Sequence, residues 1–365
     1  QTYLSILSSW MISILSYKLW QGDIYNKIEI AFEVNKQPLT IFFEFPGIQE
    51  KNDIIFDFLL PPLLFLGIYA KQSIDMGWHI ISYDARTYCD NIITYCEAKD
   101  GIPRTFDDLF KNYTAITYNN KKDNKKTKGV FFSWGIDSLY SLYKNINDID
   151  LLFFVVWYDI HYNDLPLATE IQDTFSSFSK KIHKNLIVVR TNIRELTELF
   201  VHRELVYGPC LSSIWILWNQ FHHTDEILIS SAISNTEPDI WSDEYIQKLL
   251  WLWNFTMNHF WANISRLEKI RYLQDKPYRT DIVRVCRENI GWAVNCWWCE
   301  KCTRALLEFD ISWIKEQINS FKNKHIDTKH IDIKPSNFMY YEDIIKKIKE
   351  DGIPFPYAGE IQNKL

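Results

Sequence analysis

The sequence predicts an α/β protein in which a parallel β-sheet carries helices on both faces. From Gly129 onward, short apolar runs alternate with helical patterns, and repeated βα units of this size form parallel sheets with right-handed crossovers. One run, Leu151 to Tyr158, is apolar without interruption, as expected for a strand buried on both faces. Four cysteines bunched beyond these units indicate a metal-binding knuckle beside the sheet.

The composition is that of a globular protein with more than one core. The 365 residues are 47% hydrophobic and 24% charged, which excludes a wholly disordered or collagen-like chain. A formal net charge of −6 provides no overall basic field, so we expect no nucleic-acid partner. Four segments are expected: an α+β N-terminal extension over 1–118, a Lys- and Asn-rich linker over 119–128, the α/β domain over 129–310 and a helical tail over 311–365.

The N-terminal extension contains both strand-like and helical patterns. The runs Ile28 to Val34 and Leu39 to Phe45 predict a β-hairpin, and helices are predicted over Asp53 to Ala70 and Asp84 to Glu97. Gln1 to Tyr17 has no charge, but serines interrupt it and no basic leader precedes its apolar residues. It is therefore interpreted as a buried helix rather than a membrane span or a signal peptide. We expect no membrane span and a cytoplasmic protein.

The predicted strands of the α/β domain indicate where a ligand would bind. In open parallel sheets, ligands bind beyond the carboxyl ends of the strands. The predicted strands are Val130 to Ser133, Leu151 to Tyr158, Leu186 to Arg190 and Glu226 to Ser231. Their carboxyl ends lie at Ser133, Asp159, Thr191, Ser230 and Ser231. The helices predicted between them are Asp137 to Asn145, Pro166 to Lys181, Ile193 to Glu204 and Cys210 to Phe221.

The segment Ser133-Trp134-Gly135-Ile136-Asp137-Ser138 connects the first of these strands to its helix. A turn of this kind presents unpaired backbone N–H groups at a helix N-terminus, which favours the phosphate chain of a nucleotide. Ser133 and Ser138 add hydroxyl donors, whereas Asp137 is expected to hold Mg²⁺ because a carboxylate repels phosphate. The alternative is an ordinary strand–turn–helix corner in which Asp137 caps the helix.

This segment resembles the Ser-Gly-Gly-x-Asp-Ser signature of the PP-loop ATP pyrophosphatase superfamily, with matches at Ser133, Gly135, Asp137 and Ser138. The resemblance implies a HUP-type fold and an enzyme that cleaves ATP to AMP and pyrophosphate while it adenylates a substrate. It also implies that residues 133–138 bind ATP and that Asp137 and Ser138 take part in catalysis. The sequence departs from the signature at Trp134, where the family has glycine, and the indole is expected either to lean aside or to narrow the cradle.

The bunched cysteines have the spacing Cys286-x9-Cys296-x2-Cys299-x2-Cys302. Four thiolates at about 2.3 Å satisfy tetrahedral zinc, and a closed shell of four cysteines is structural rather than catalytic. An iron–sulfur cluster and cysteines without a metal remain alternatives, although the ferredoxin pattern would continue with a further cysteine and a proline. Cys286 is the least certain ligand, and Cys210 or a histidine is its substitute.

A second resemblance covers the cysteines. Their spacing is similar to that of 7-cyano-7-deazaguanine synthase, a PP-loop enzyme with a zinc knuckle. The segment Asn295 to Arg304 more closely resembles the UDP-N-acetylmuramoyl-L-alanyl-L-glutamate epimerase family and its uncharacterised relatives, although Trp297 and Trp298 replace a glycine and an arginine. The same relatives resemble Asn192 to Leu196, Tyr207 to Leu211, and Ser230-Ser231 followed by Trp241-Ser242, so that the likeness extends over roughly 129–309.

Several polar residues beside these motifs are candidates for the site. Arg304 is a candidate catalytic cation that stabilises charge on the transferring phosphoryl group, and Lys301 is a candidate substrate-binding cation. Asp159 follows the second strand, where we expect it to face the nucleotide. Ser230 and Ser231 end the fourth strand and are candidate substrate-binding residues, with an ordinary turn as the alternative.

Together the resemblances imply an enzyme that uses ATP and Mg²⁺, with structural Zn²⁺, to adenylate a small-molecule carboxylate, either a free one or a nucleotide-linked one. The acyl-adenylate would then be epimerised or amidated. One alternative is a ligase like 7-cyano-7-deazaguanine synthase, which forms an amide and a nitrile. Another is a catalytically degenerate nucleotide sensor or interaction module, an idea that Trp134 motivates. The oligomeric state is left open.

Overall fold

A computed structural model describes most of the chain and has a mixed α/β fold with a large central sheet. The described residues are 11–47, 54–101, 103–118, 126–156, 160, 164–202, 206–222, 224–230, 256–260, 264–277, 283–286, 288–289, 294–335 and 337–365. Within this part of the chain, no helix is both long and apolar enough to cross a membrane.

The chain divides into two compact units. Unit 1 comprises Gln1–Gly129, Ile187–Leu228 and Thr236–His259, and unit 2 comprises Val130–Leu186, Ile229–Asn235 and Phe260–Leu365. The division between Gly129 and Val130 lies at the end of the predicted linker, but unit 1 also takes in residues well beyond it. The reason is a strand pairing over a long sequence separation, in which Arg190 lies opposite Glu44.

Unit 1 is built around an antiparallel meander. Its strands are β1 (Met11–Trp20), β2 (Asn26–Val34) and β3 (Gln37–Phe45), and β2 and β3 form the hairpin that the sequence predicts. The two turn residues, Asn35 and Lys36, have φ values of 50° and 63°. Positive φ at both central positions is the requirement of a type I′ turn, which matches the twist of the paired strands.

The prediction of a helix over Gln1 to Tyr17 is wrong for its described part, because Met11 to Tyr17 lies in β1. Residues before Met11 lie outside the described part of the chain. The buried Ile12 and Ile14 are two residues apart, a period that fits a strand, and they lie opposite Val34 and Phe32 of β2. Pairing with β2 therefore outweighs the helical tendency of the segment.

The remaining elements of unit 1 surround this meander. A 3₁₀ turn (Phe56–Leu59) leads into α1 (Leu60–Tyr69), whose first turn holds Pro61 and Pro62. After these come β4 (Ser73–Asp75), β5 (Ile80–Ser82), α2 (Tyr83–Asp100), α3 (Phe106–Leu109), β6 (Phe110–Lys111) and β7 (Thr114–Ile116). Two further helices of this unit are α6 (Ile193–Thr197), which is shorter than predicted, and α7 (Tyr207–Phe221). The strand order is β10-β3-β2-β1-β4-β6, with β10 spanning Asn185–Thr191 and β5 and β7 forming a separate parallel pair.

Unit 2 contains the predicted βα repeats. In chain order they are β8 (Lys128–Phe131), α4 (Ile136–Lys144), β9 (Leu151–Val156) and α5 (Leu165–Lys181), which leads into β10. Beyond α7 come β11 (Glu226–Ser230) and β12 (Thr256–Phe260). The division into units passes through β8, β10, β11 and β12. The strand order here is β12-β11-β8-β9-β10, so the order reverses at β8.

Four further α-helices of unit 2 lie in the described part of the chain. They are α8 (Arg266–Leu273), α9 (Glu300–Ile311), α10 (Phe338–Asp351) and α11 (Ala358–Lys364). α8 packs against α4, and α9 and α10 pack against α8 and against each other. The helical C-terminal segment is thus part of this unit, with Tyr341, Ile344 and Ile361 buried in its interior. These contacts bring α4, α8 and α9 together at the turn that follows β8.

Candidate functional site

The turn between β8 and α4 presents backbone donors. Gly135 is the N-cap of α4 and has no side chain to cap it. The first backbone hydrogen bond of the helix runs from the Leu139 N–H to the Gly135 carbonyl, at 3.0 Å. The N–H groups of Ile136, Asp137 and Ser138 therefore have no partner within the helix, and the helix dipole adds positive potential at this end. This end of α4 is suited to an anion.

Trp134 adopts a backbone conformation in this turn that glycine usually provides. Its φ is 63°, a left-handed conformation that glycine adopts freely and that costs other residues roughly 1–2 kcal/mol. The indole is only 2% exposed and packs edge-on against Phe175, with ring centroids 3.5 Å apart, and also against Phe132 and Phe178. The ring thus leans aside into an aromatic cluster, the first of the two expected outcomes. Burial among these rings offsets the backbone strain.

The two serines of the turn, Ser133 and Ser138, differ in burial and in their contacts. Ser138 is 3% exposed, and its hydroxyl donates to the Gly135 carbonyl at 3.0 Å. Ser133 is half-buried, and a Cβ added at Gly135 would lie 3.5 Å from its Oγ, an ordinary contact distance. In addition, the Trp134 carbonyl accepts a hydrogen bond from the Arg284 N–H at 3.0 Å. The turn is thereby tied to the segment that contains Cys286.

Asp137 lies between two buried cations of α8. Its Oδ1 is 2.7 Å from the Nζ of Lys269, and its Oδ2 is 3.2 Å from the Nη1 of Arg266. The side chain of Lys269 is 1% exposed and that of Arg266 is 9% exposed, whereas that of Asp137 is 20% exposed. Asp137 is therefore the member of this trio nearest to solvent, and it is an ion-pair partner rather than a simple helix cap.

The same contacts set the protonation of Asp137. Burial acts to raise the pKa of its carboxyl, but the charges of Lys269 and Arg266, the hydrogen bond from Lys269 and the charge of Lys301 together outweigh burial. The pKa of Asp137 therefore lies below its ordinary value of 3.8, and the carboxylate is ionised at neutral pH. A negative charge is thus fixed beside the end of α4.

The ion pairs continue along α9. Arg266 Nε donates to Glu308 Oε2 at 2.7 Å, and Glu308 is 1% exposed. Arg304 Nη1 lies 3.6 Å from Glu308 Oε1, and its Nε donates to Glu300 at 2.8 Å. Glu300, Arg304 and Glu308 are four residues apart, so they occupy one face of the helix. With Asp137 and Lys269 they form a continuous set of ion pairs, which we call the buried ion network.

Two tyrosines of α10 cover the network. The guanidinium of Arg304 lies over the ring of Tyr340, 4.2 Å from its centroid, and the Tyr341 hydroxyl donates to Glu300 at 2.9 Å. Burial, with the charge of Asp137 also contributing, raises the pKa of Tyr340, and burial together with the charge of Glu300 raises that of Tyr341. Both phenols therefore stay protonated. In the buried ion network, three cations offset three carboxylates, so the set is neutral as it stands.

Sequence reasoning missed Arg266, Lys269 and Glu308. A local signal for α8 does exist, since Ser265 and Glu268 form a capping box in which each side chain accepts from the backbone N–H of the other. Arg266 and Lys269 are three residues apart and so project from one face of that helix. Their pairing with Asp137 spans well over a hundred residues of sequence, and no local pattern indicates it.

The four predicted cysteines come together. The Sγ atoms of Cys286, Cys296, Cys299 and Cys302 all lie within 4.8 Å of one another, and those of Cys296 and Cys302 are 3.9 Å apart. A tetrahedral zinc with bonds of about 2.3 Å places its sulfurs about 3.8 Å from one another. The donor set therefore fits a metal such as zinc, and Cys286 completes it. Cys210, its proposed substitute, lies in α7 of unit 1.

Asn295 connects the segment that contains Cys286 to the segment that contains the other three cysteines. It is 1% exposed, and its Oδ1 accepts from the N–H groups of Val285 and Cys286 at 2.8 and 3.3 Å. Its Nδ2 donates to the Val283 carbonyl at 2.7 Å. Cys286 is thereby fixed beside Cys296, although nine residues lie between them in sequence. Support of this kind orients metal ligands.

The cysteine cluster and the buried ion network share α9. Cys299 is the N-cap of that helix, and its Sγ accepts from the Cys302 N–H at 3.4 Å. Hydrogen bonds from Cys299 and Cys302 lower the pKa of the Cys286 thiol, and the hydrogen bond to Cys286 raises the pKa of Cys299 to about 12. Four thiolates repel one another, so a cation among them is needed to hold all four deprotonated. A metal there would anchor the first turn of α9.

The other predicted residues are placed only in part. The Ser230 hydroxyl, at the carboxyl end of β11, is buried without a hydrogen-bond partner among the described residues. Lys301 is half-buried in the first turn of α9, and Arg304 lies within the buried ion network instead of at an open surface. Asp159, Ser231 and the Trp241-Ser242 pair lie outside the described residues.

The site therefore combines an uncapped helix end, a carboxylate between two cations, and a four-cysteine cluster on a shared helix. This arrangement is suited to an anion beside α4 and to a metal at the start of α9. No protein-family model, no curated protein sequence and no solved structure matches the chain.

Proposed function

We propose that unit 2 is a HUP-type nucleotide-binding domain that binds ATP at the turn Ser133 to Ser138 and uses it to adenylate a substrate carboxylate. The observation that carries the proposal is the uncapped N-terminus of α4, which follows β8 at the point where the strand order reverses. In open α/β sheets, such a reversal creates a crevice at the carboxyl ends of the strands, and ligands bind there.

The strand order supports a nucleotide-binding architecture. Numbered by their appearance along the chain, β10, β9, β8, β11 and β12 give the order 3-2-1-4-5, which is that of dinucleotide- and nucleotide-binding sheets. Ser133 follows β8, and Ser230, whose buried hydroxyl has no hydrogen-bond partner among the described residues, ends the neighbouring β11. A buried hydroxyl without a partner is uncommon in native proteins, and a polar ligand in the crevice would supply one.

The charges beside the turn support a phosphate ligand. The N–H groups of Ile136, Asp137 and Ser138, which have no partner within the helix, and the dipole of α4 favour negative charge. The cations Lys269 and Arg266 lie within 3.2 Å of the Asp137 carboxylate in the first turn of the same helix. Trp134 has the left-handed backbone conformation that glycine adopts freely. The replacement of the signature glycine by Trp134 is therefore compatible with a turn of the PP-loop kind.

The proposed reaction begins when a carboxylate oxygen of the substrate attacks the α-phosphorus of ATP. The bond between that phosphorus and the bridging oxygen breaks, and pyrophosphate leaves with the electron pair. The N–H groups of α4 and the nearby cations stabilise the charge on the leaving group. Asp137 is the residue that would hold Mg²⁺, which supplies further neutralisation of phosphate charge when bound. The acyl-adenylate is then either attacked at its carbonyl by an amine, which forms the amide, or epimerised at its acidified α-carbon and hydrolysed by water. In both cases the bond between the acyl carbon and the phosphate oxygen breaks and AMP leaves.

The test is release of AMP and pyrophosphate by the purified full chain, incubated with Mg–ATP and a panel of small and nucleotide-linked carboxylates. The Asp137→Ala variant is expected to lose at least about 100-fold in turnover, because it lacks the Mg²⁺ ligand. The matched control is Asp332→Ala, which removes a carboxylate that is 62% exposed and paired with Lys334. Unchanged turnover in Asp137→Ala would contradict the assigned role.

A second candidate function is nucleotide binding without turnover. It is favoured by the pairing of Asp137 with two cations, which occupies the carboxylate expected to bind Mg²⁺. Calorimetry with Mg–ATP separates the possibilities. Binding together with AMP formation supports the enzyme, whereas binding without AMP formation from any carboxylate supports a sensor. A lack of nucleotide binding contradicts both.

A further inference from the structure

We propose that Lys269 and Arg266 are phosphate-binding residues and that Asp137 occupies them until a nucleotide arrives. Phosphate oxygens then replace the carboxylate on both cations, and the released carboxylate binds the Mg²⁺ that accompanies the nucleotide. We call this step the carboxylate exchange. It rests on the proposed function, and it concerns residues that neither the sequence motif nor the resemblance identifies.

The exposures of the three side chains set the direction of the exchange. Lys269 is 1% exposed and Arg266 is 9% exposed, while the Asp137 carboxylate that contacts both is 20% exposed. An anion arriving from solvent therefore meets the carboxylate before it meets the cations. The carboxylate must swing away before phosphate can reach the ammonium group of Lys269. Its position in the first turn of α4 allows this by a side-chain rotation alone.

The cations are held in place while the carboxylate moves. Arg266 Nε donates to Glu308 at 2.7 Å, and Glu308 is 1% exposed. Both Arg266 and Lys269 belong to α8, whose start is fixed by the capping box of Ser265 and Glu268. α8 also packs against α4, where the rings of Tyr272 and Tyr140 meet with their centroids 5.0 Å apart. The side of the ion pair that moves is therefore Asp137.

Charge balance requires a replacement anion. With Asp137 in place, the cations Arg266, Lys269 and Arg304 are matched by three carboxylates. When Asp137 turns away, Lys269 and Arg266 both lose the contact with its carboxylate, and breaking a buried ion pair by removing one partner is strongly unfavourable. A phosphate oxygen restores the balance, so binding of the anion and release of the carboxylate are coupled.

The exchange predicts that one substitution has opposite effects in two conditions. Without Mg²⁺, in the presence of a chelator, Asp137→Asn removes the competing carboxylate and is expected to bind ATP about tenfold more tightly than the wild-type chain. With Mg²⁺, the same variant lacks a metal ligand and is expected to bind ATP about tenfold more weakly. Calorimetric titration of the full chain with ATP under the two conditions measures both effects.

A double-mutant cycle distinguishes exchange from simple repulsion between carboxylate and phosphate. In the exchange, the gain from Asp137→Asn without Mg²⁺ depends on Lys269, so it is expected to disappear in the Lys269→Met background. If Lys269→Met does not fold, as judged by circular dichroism, Arg266→Lys replaces it in the cycle with a smaller expected coupling. An equal gain in both backgrounds, or no reversal of sign on adding Mg²⁺, overturns the exchange. A wild-type chain that binds no ATP in either condition instead overturns the proposed function.

Discussion

The two units bury their polar groups in different ways. In unit 1, the fully buried Asp57 accepts from the N–H and the hydroxyl of Ser82 at 2.7 and 2.5 Å, and the ring of His79 stacks on Phe56 at a centroid distance of 4.0 Å. The ion pair between Arg190 and Glu44 remains 31% and 21% exposed. Unit 1 thus keeps its described ion pairs close to solvent and fills its interior mainly with apolar and aromatic side chains.

Unit 2 instead takes opposite charges out of water. Lys269 and Glu308 are each 1% exposed and are held by Asp137 and Arg266 respectively. A buried ion pair often stabilises a fold no more than apolar residues of similar size would, because desolvation offsets the attraction. Stability alone therefore does not account for this network, and clusters of this kind are frequent at functional sites. The comparison favours unit 2 over unit 1 as the location of the proposed site.

The largest expected effect is on stability and concerns the cysteine cluster. Cys299→Ser removes one of the four thiolates proposed to bind zinc but keeps a side chain that caps α9, so we expect loss of zinc and a decrease of several kcal/mol in the free energy of unfolding. Elemental analysis and urea unfolding measure the two effects. The control is Cys96→Ser in unit 1, where the cysteine is buried outside the cluster and metal content should not change. If the chain without zinc has the same free energy of unfolding as the chain with zinc, the cysteine cluster does not stabilise unit 2, and this contrast with unit 1 disappears.

The next effect tests what holds Trp134 in its strained conformation. Trp134→Gly relieves the left-handed backbone but removes a buried indole, a change that typically costs about 3–5 kcal/mol, so we expect a net loss of about 3 kcal/mol in urea unfolding. Trp313 is the matched control, because its φ is 58° and its side chain is 72% exposed. Trp313→Gly should leave stability unchanged or raise it by at most about 1 kcal/mol. Equal effects at both positions would show that packing of the indole is unimportant.

Local patterns in the sequence predict much of the fold. The hairpin of β2 and β3, helix α2 and the βα units from β8 to β10 all lie within a few residues of their predicted positions. The clustering of the cysteines was also predictable, because their spacing is a short-range property that metal coordination requires. Each of these features depends on residues that are close together in sequence, which is the information that periodicity and spacing carry.

The features that were not predicted depend on distant residues. The pairing of β10 with β3 and the contacts of Asp137 with Lys269 and Arg266 join segments more than a hundred residues apart. The strand character of Met11 to Tyr17 likewise depends on its pairing with β2 and β4. Nothing in the local sequence specifies such partners. The site residues missed here are those whose role is set by a neighbour in space.

The smallest expected effect is a difference between the two units in how their stability depends on pH. In unit 1, burial lowers the pKa of His79 and of His222, whose ring is stacked on Trp218 at 3.8 Å. A second influence on His222, a hydrogen bond with the backbone of Pro46, acts in the opposite direction but is weaker. As the pH falls below 6.5, the ordinary histidine value, the unfolded chain binds protons that these folded rings resist, so unit 1 loses stability. In unit 2, the pKa of Asp137 is lowered from 3.8, so its contribution is kept until the pH falls below that value.

Between about pH 6.5 and pH 4 the two units should therefore respond differently, with unit 1 losing stability while the Asp137 ion pairs persist. His222→Phe removes one of the buried groups that must stay neutral, so the decline in urea midpoint over this range should become shallower than in the wild-type chain. The control is Trp313→Phe, which changes an exposed side chain that does not titrate and should leave the slope unaltered. If His222→Phe and Trp313→Phe change the slope equally, burial of His222 in unit 1 is not its cause. A shallower slope for His222→Phe alone would instead tie the acid sensitivity to the ring that lies against Gly47, where an added Cβ would come within 2.8 Å of His222 Cε1.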